Sequence, residues 1–89
     1  MTIDRQVASA LAESGLSAVV GPEIVSRLRE DSPLALVGLS TADLVCVSDA
    51  VARAADARGL DCVLVDSDLA GLDTVADLVT VITLRAGTS

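Results

Sequence analysis

Ile3, Val7 and Leu11 fall four residues apart, one stripe of an amphipathic helix, and predict a first helix from Ile3 to Glu13 that stops near Gly15. Gly21-Pro22-Glu23 then puts Pro at a first-turn position with an acid beside it. Ile24, Val25 and Leu28 follow at helical spacing, so a short second helix runs to Glu30. It ends at Asp31-Ser32-Pro33, because the residue before a proline is pushed out of the helical region. After the run Leu34 to Leu39, Ser40 stands three residues before Asp43, close to a capping box although Asp is shorter than the usual Glu. The main helix starts there. Leu44, Val47, Val51 and Ala54 recur at three and four, and the pattern reaches Gly59, placed as a C-terminal cap. The opposite side carries Val45, Asp49, Ala52 and Asp56 at i, i+4, i+7 and i+11, an acidic stripe that looks outward with an exposed valine near its start. Asp66-Ser67-Asp68-Leu69 can cap a single turn ended by Gly71. Asp73 or Thr74 can cap a last helix in which Val75, Leu78, Val79 and Ile82 share a face. The expected organisation is one domain over residues 1–84 with a frayed, flexible tail at 85–89, and there is no internal repeat, low-complexity tract or linker.

A competing pattern runs through the same residues. Leu34–Val37, Cys62–Val65 and Leu78–Ile82 are short, β-branched apolar runs that also fit buried parallel strands, with the long helix as a crossover. The fold class is therefore all-α, with a small α/β parallel sheet as the alternative. Even then no nucleotide function would follow, since Val37-Gly-Leu-Ser-Thr-Ala-Asp43 stands where a glycine-rich phosphate loop would precede the helix.

Composition narrows the chemistry. The chain has 89 residues, 13 acids against 6 Arg, no Lys, no His and no aromatic residue, for a net charge of -7. Without His there is no imidazole base and no Ser-His or Cys-His pair, and without Lys there is no Schiff-base lysine. Two cysteines and no histidine cannot close a four-ligand zinc site. An autonomous enzyme is not expected. The acidic balance argues against nucleic acid, which is bound through clustered Lys and Arg, and favours protein partners with basic docking patches. No secretory signal and no apolar run of about 18 residues is present, so neither membrane binding nor export is expected and a reducing cytoplasm is the expected home. There Cys46 and Cys62, which form no Cys-x-x-Cys pair, read as buried small hydrophobes.

Asp31-Ser-Pro-Leu-Ala-Leu-Val-Gly-Leu39, the long acidic helix and Asp66-Ser-Asp-Leu-Ala-Gly-Leu-Asp-Thr-Val-Ala-Asp-Leu-Val79 together resemble the acyl carrier protein family, over nearly the whole chain. The resemblance implies an acidic four-helix bundle, a monomer, whose last helix begins at Thr74 to Val79. It also implies a carrier of fatty-acid, polyketide or peptide synthesis that holds intermediates as thioesters on a phosphopantetheine arm. Its partners would be the biosynthetic enzymes and a phosphopantetheinyl transferase.

The attachment motif departs from the family. Where carriers usually read Gly-x-Asp-Ser-Leu, this chain reads Gly38-Leu39-Ser40-Thr41-Ala42, so Ser40 falls at the aspartate and Thr41 at the attachment serine. With Ser40 as N-cap, Thr41 is the first helical residue and its side chain faces out. The valine expected four residues later is Val45. The span from Thr41 to Gly59 is about one helical turn longer than the family's. Thr41 is the first candidate for the arm, Ser40 the second if the helix start slips by one, and an unmodified interaction or scaffold module the alternative to both. On the carrier reading, Val45 offers apolar contact while Asp49 and Asp56, flanking Ala52, meet basic residues on each partner. Three weaker patterns remain. Asp66, Asp68, Gly71 and Asp77 match positions 1, 3, 6 and 12 of a calcium loop, but Ala70 stands at position 5 and the last ligand is Asp instead of Glu. Asp49 and Asp56 as a catalytic pair would sit on a solvated helix face. For Cys46, set against a thiol nucleophile, packing is the expected role, and no metal or catalytic residue is assigned.

Overall fold

The computed structural model describes residues 3–88, and they are mostly helical. The order is α1 (Arg5–Val20), α2 (Pro22–Val25), a 3₁₀ turn (Leu34–Val37), α3 (Thr41–Ala57), β1 (Leu60–Asp61), α4 (Asp66–Ala70), α5 (Val75–Arg85) and β2 (Gly87–Thr88). The all-α expectation holds at this level. The parallel-sheet alternative does not: Leu34–Val37 is a 3₁₀ turn, Leu78 to Ile82 lies within α5, and the pairing of β1 with β2 is antiparallel. Of the three runs only Cys62 to Val65 lies outside the helices and turns, in irregular chain after β1. It alternates as a half-buried strand would, with Cys62 and Leu64 inside and Val63 and Val65 exposed. No helix among the described residues is long and apolar enough to cross a membrane.

The core is aliphatic. Ala8, Leu11, Ala12 and Leu16 from α1, Val47, Val51 and Ala55 from α3, and Leu78, Val79 and Ile82 from α5 are buried, with Leu34, Cys62, Leu64, Leu69 and Ala86 closing it. Helix α1 packs against α2, α3 and α5. It does not stop near Gly15 but runs through it to Val20, because Gly15 is where α3 crosses. A Cβ at position 15 would lie 2.5 Å from Val51 Cγ2 and 3.0 Å from the Val47 carbonyl oxygen. The glycine that reads as a stop is a contact. On α3 the fully buried line is Val47, Val51 and Ala55, and Ala54, expected inside, is only half-buried beside it.

Helix α2 is shorter than expected. It ends at Val25, and turns follow in which the Arg27 N–H donates to the Ile24 carbonyl and the Leu28 N–H to the Val25 carbonyl. The chain beyond is committed elsewhere. The Glu30 and Ser32 carbonyls accept from the Ala76 N–H at 2.7 Å and the Val75 N–H at 3.1 Å, and the Leu34 N–H donates to the Asp73 carbonyl at 2.8 Å. Together with the isolated bridge Pro33↔Thr74, these bonds clasp the loop before the 3₁₀ turn to the start of α5. They satisfy first-turn amides that a helix leaves without internal partners. Thr74 completes the cap by accepting from the Asp77 N–H at 3.2 Å, while Asp77 Oδ2 accepts from the Asp73 and Thr74 N–H groups.

The described residues after 84 make contacts with the rest of the fold. Ala86 is 5% exposed, continuing the Leu78-Ile82 line by one more turn, Arg85 is ion-paired to Asp68, and Gly87 pairs with Asp61. Of the expected tail, Ser89 lies outside the described residues.

Candidate functional site

The hydroxyl-bearing turn is built by three successive residues. Gly38 ends the 3₁₀ turn at φ 71°, ψ 27°, a left-handed conformation that glycine adopts without steric cost. Leu39 then packs partly against the core, which leaves Ser40 extended at the N-cap of α3. Ser40 Oγ accepts the Asp43 N–H at 3.2 Å and Asp43 Oδ2 accepts the Ser40 N–H at 3.0 Å, so the short Asp closes the capping box. Bonds from the Ser40 N–H, and then from its side chain, hold the Asp43 carboxyl below the usual carboxylate range.

Thr41 is the first residue of α3, exposed, and its hydroxyl makes no hydrogen bond within the described residues. The two candidate hydroxyls therefore differ: that of Ser40 is engaged in the cap and that of Thr41 is not. Beside Thr41 lies a cleft of about 130 Å³, lined by Thr41, Leu44 and Val45 from α3 and by Asp66, Leu69 and Ala70 from α4. Drug-sized ligands occupy roughly 300–1,000 Å³. This cleft is smaller than that.

The α4 wall is set by Asp68. Its Oδ2 accepts the Val65 N–H at 3.2 Å, and its two oxygens take Arg85 Nε at 3.1 Å and an Arg85 terminal nitrogen at 3.0 Å. The hydrogen bonds from Arg85, then that from Val65, hold the Asp68 carboxyl below the usual range. Leu69, the next residue, is buried.

The acidic stripe is where the helical spacing puts it. Val45 is 43% exposed, Asp49 and Asp56 are exposed, and Ala52 between them is half-buried. At about 100° per residue the four cover an arc of roughly 60°. That arc adjoins the cleft on one side. On the other is a groove of about 220 Å³ between α3 and the end of α1, lined by Ala18, Val19, Cys46, Asp49, Ala50 and Arg53. Neither Asp49 nor Asp56 is in an ion pair among the described residues. Both carboxylates are thus available to a partner.

Cys46, expected to be packed, is exposed in that groove, because the Ala18-Val19 end of α1 leaves its flank of α3 uncovered. Cys62 is buried as expected, and burial, then the nearby Asp68 charge, push its thiol pKa up. The calcium-loop spacing brings no ligand set together: Asp68 is engaged with Arg85 and Asp77 caps α5, and no group of three Cys, Asp or Glu side chains in metal-binding reach occurs among the described residues.

Sequence reasoning located Ser40, Thr41 and the stripe, but not the cleft. Leu69 and Ala70 meet Thr41 only through the tertiary fold, and no local period announces that meeting. Comparison with protein-family models, curated proteins and solved structures gives no match.

Proposed function

We propose that this chain is an acyl-carrier-like four-helix bundle, with α1, α3, α4 and α5 as its helices, that presents a covalently held intermediate to biosynthetic enzymes of fatty-acid, polyketide or peptide synthesis. The observation that carries the reading is the Thr41 hydroxyl, without a hydrogen bond among the described residues and lining a cleft, on the same helix as the Asp49 and Asp56 carboxylates, which are in no ion pair among the described residues.

The residues present fit a phosphopantetheine arm at Thr41. The hydroxyl is solvent-facing, the cap beneath it survives its modification, and the positive end of the α3 dipole favours a phosphodiester there. Attachment at Ser40 would instead engage the cap oxygen, so Thr41 ranks first. In loading, the hydroxyl oxygen displaces the adenosine bisphosphate part of coenzyme A from phosphorus and its proton passes to a base on the transferase. The arm, when bound, supplies a thiol that carries the cargo as a thioester. The chain's own residues orient: Ser40 and Asp43 hold the helix start, Leu44, Val45 and Leu69 offer apolar surface, and Asp49 and Asp56 meet basic patches.

The test is intact-mass spectrometry after incubation with coenzyme A and a broad-range phosphopantetheinyl transferase. One added phosphopantetheinyl group, absent from Thr41→Ala, is expected. No adduct with any transferase tried rejects the carrier reading.

A second reading is an unmodified interaction module of a biosynthetic enzyme. It is favoured by the replacement of all three Asp-Ser-Leu residues by Ser40, Thr41 and Ala42, and by the extra methyl of Thr41, which crowds its oxygen and restricts χ1. In a reconstituted pathway this reading expects Thr41→Ala to be silent while Asp49→Arg or Asp56→Arg abolishes activity. Equal loss from Thr41→Ala refutes it.

A further inference from the structure

The wall of the cleft is fastened at both ends to the last described residues of the chain. At one end Leu60 and Asp61 of β1 pair with Thr88 and Gly87 of β2, and at the other, further along the same segment, the Asp68 carboxylate grips Arg85. Between β1 and the end of α4, Cys62, Leu64 and Leu69 are buried in the core. Helix α4 has five residues, too few to be stable on its own, so its position depends on what it is tied to. We propose that the Asp68–Arg85 pair is a latch that holds α4 against α3 and thereby sets the opening of the cleft over Thr41. The geometry singles this pair out. It is bidentate, at 3.1 and 3.0 Å, and the Asp68 side chain is only 11% exposed. The Arg5–Glu30 pair is a single contact at 3.5 Å with both side chains more than half exposed. Asp68 also caps α4 through the Val65 N–H, so one carboxylate governs both where the helix starts and where it docks. Leu69, the neighbour of Asp68, supplies the wall. The latch belongs to the unmodified protein and does not depend on whether an arm is attached.

Cys62 is a built-in reporter, 3% exposed on the core side of the tied segment. In a Cys46→Ser background, labelling of native protein by uncharged iodoacetamide, normalised to the denatured rate, follows opening of this segment. Arg85→Gln is expected to speed Cys62 labelling roughly three- to tenfold. Arg85→Lys should restore part of the protection, and Arg5→Gln should change nothing. Amide exchange at Leu69 and Ala70 should accelerate with the labelling while Leu11 and Val51 keep their protection. Should Arg85→Gln prove too unstable to purify, added salt in the Cys46→Ser protein is expected to speed labelling in the same way. An unchanged labelling rate on breaking or screening the pair overturns the latch, and so does a rise shared equally by Leu11 and Val51, which would make the pair an ordinary contributor to global stability.

Discussion

Gly15 and Val51 occupy a single point of closest approach between α1 and α3: a Cβ built on Gly15 falls 2.5 Å from Val51 Cγ2. Val51 is β-branched and in a helix, so it has little rotamer freedom with which to yield. The Val47 carbonyl oxygen, at 3.0 Å, cannot yield without moving α3 itself. The helix that bears the candidate site is thus seated by the absence of one methyl group on its neighbour.

Gly15→Ala sets two effects against each other. Alanine improves helix propensity by about 1 kcal/mol, while overpacking costs about 1–3 kcal/mol. With backbone in the way, overpacking wins, and a net loss of up to about 2 kcal/mol is expected, read by urea denaturation. The penalty should shrink in a Val51→Ala background. Equal penalties in the two backgrounds would show that the contact is not its cause.

Ser40→Ala and Thr41→Ala separate structure from chemistry at adjacent positions. Loss of the Ser40 cap should cost about 1 kcal/mol, whereas Thr41→Ala should stay within about 0.5 kcal/mol. On the carrier reading the order reverses in the mass assay: Thr41→Ala should remove the adduct and Ser40→Ala should retain it. Thr41→Ser, which replaces the secondary alcohol by a primary one, should load faster than the parent. Slower loading of Thr41→Ser would contradict the steric argument.

Acid should weaken the fold through its caps. The carboxyls of Asp43, Asp68 and Asp77 lie below their ordinary range, because Ser40, Arg85 and the Asp73 and Thr74 amides bond to the charged forms. A depressed folded-state pKa gives stability that is present above the unfolded value, about 4, and is lost as pH falls through the folded value. The melting temperature should therefore be level from neutrality to about pH 5 and drop below about pH 4. An Asp43→Asn, Asp77→Asn double variant should start lower and fall less. Parallel curves for parent and variant would assign the acid limb to other groups. Cys62 acts at the opposite end: its raised thiol pKa gives stability that is present below the ordinary thiol value, about 8.5, and is lost as pH rises through the raised one.

On the proposed function, charge reversal on the stripe should leave the fold alone and weaken partner binding. Asp49 and Asp56 are exposed and have no ion-pair partner within the described residues, so Asp49→Arg and Asp56→Arg should each alter stability by no more than about 0.5 kcal/mol. Binding to a partner with a basic patch should weaken, and parent binding should itself weaken with salt as surface charges are screened. Titration calorimetry at two ionic strengths would check both. Binding that is indifferent to salt and to both reversals would place the docking face elsewhere.

Legible in the sequence are the parts of the molecule set by neighbours in the chain. Ser40 and Asp43 are three apart, as a cap requires, and Leu78, Val79 and Ile82 keep one face of α5. The parts that depend on distant residues are not legible there. Gly15 looks like a stop until Val51 is known to cross it. Helix α2 stops early while the Glu30 and Ser32 carbonyls beyond it serve α5 amides far along the chain. The cleft needs Thr41 and Leu69 on facing helices. Ala86 belongs with the legible residues, since it stands four residues after Ile82 on the same buried line.

The clasp between Pro33 and Thr74 gives this arrangement its mechanical character. The turn at Ser40, α3 and α4 all lie on a stretch of chain that departs from this clasp and returns to it. Its return leg is anchored at Asp73 and Thr74, so α4 sits between that anchor and the Asp68–Arg85 pair. Under the proposed latch, widening of the cleft over Thr41 breaks the Asp68–Arg85 bonds and spares those at the root of α5.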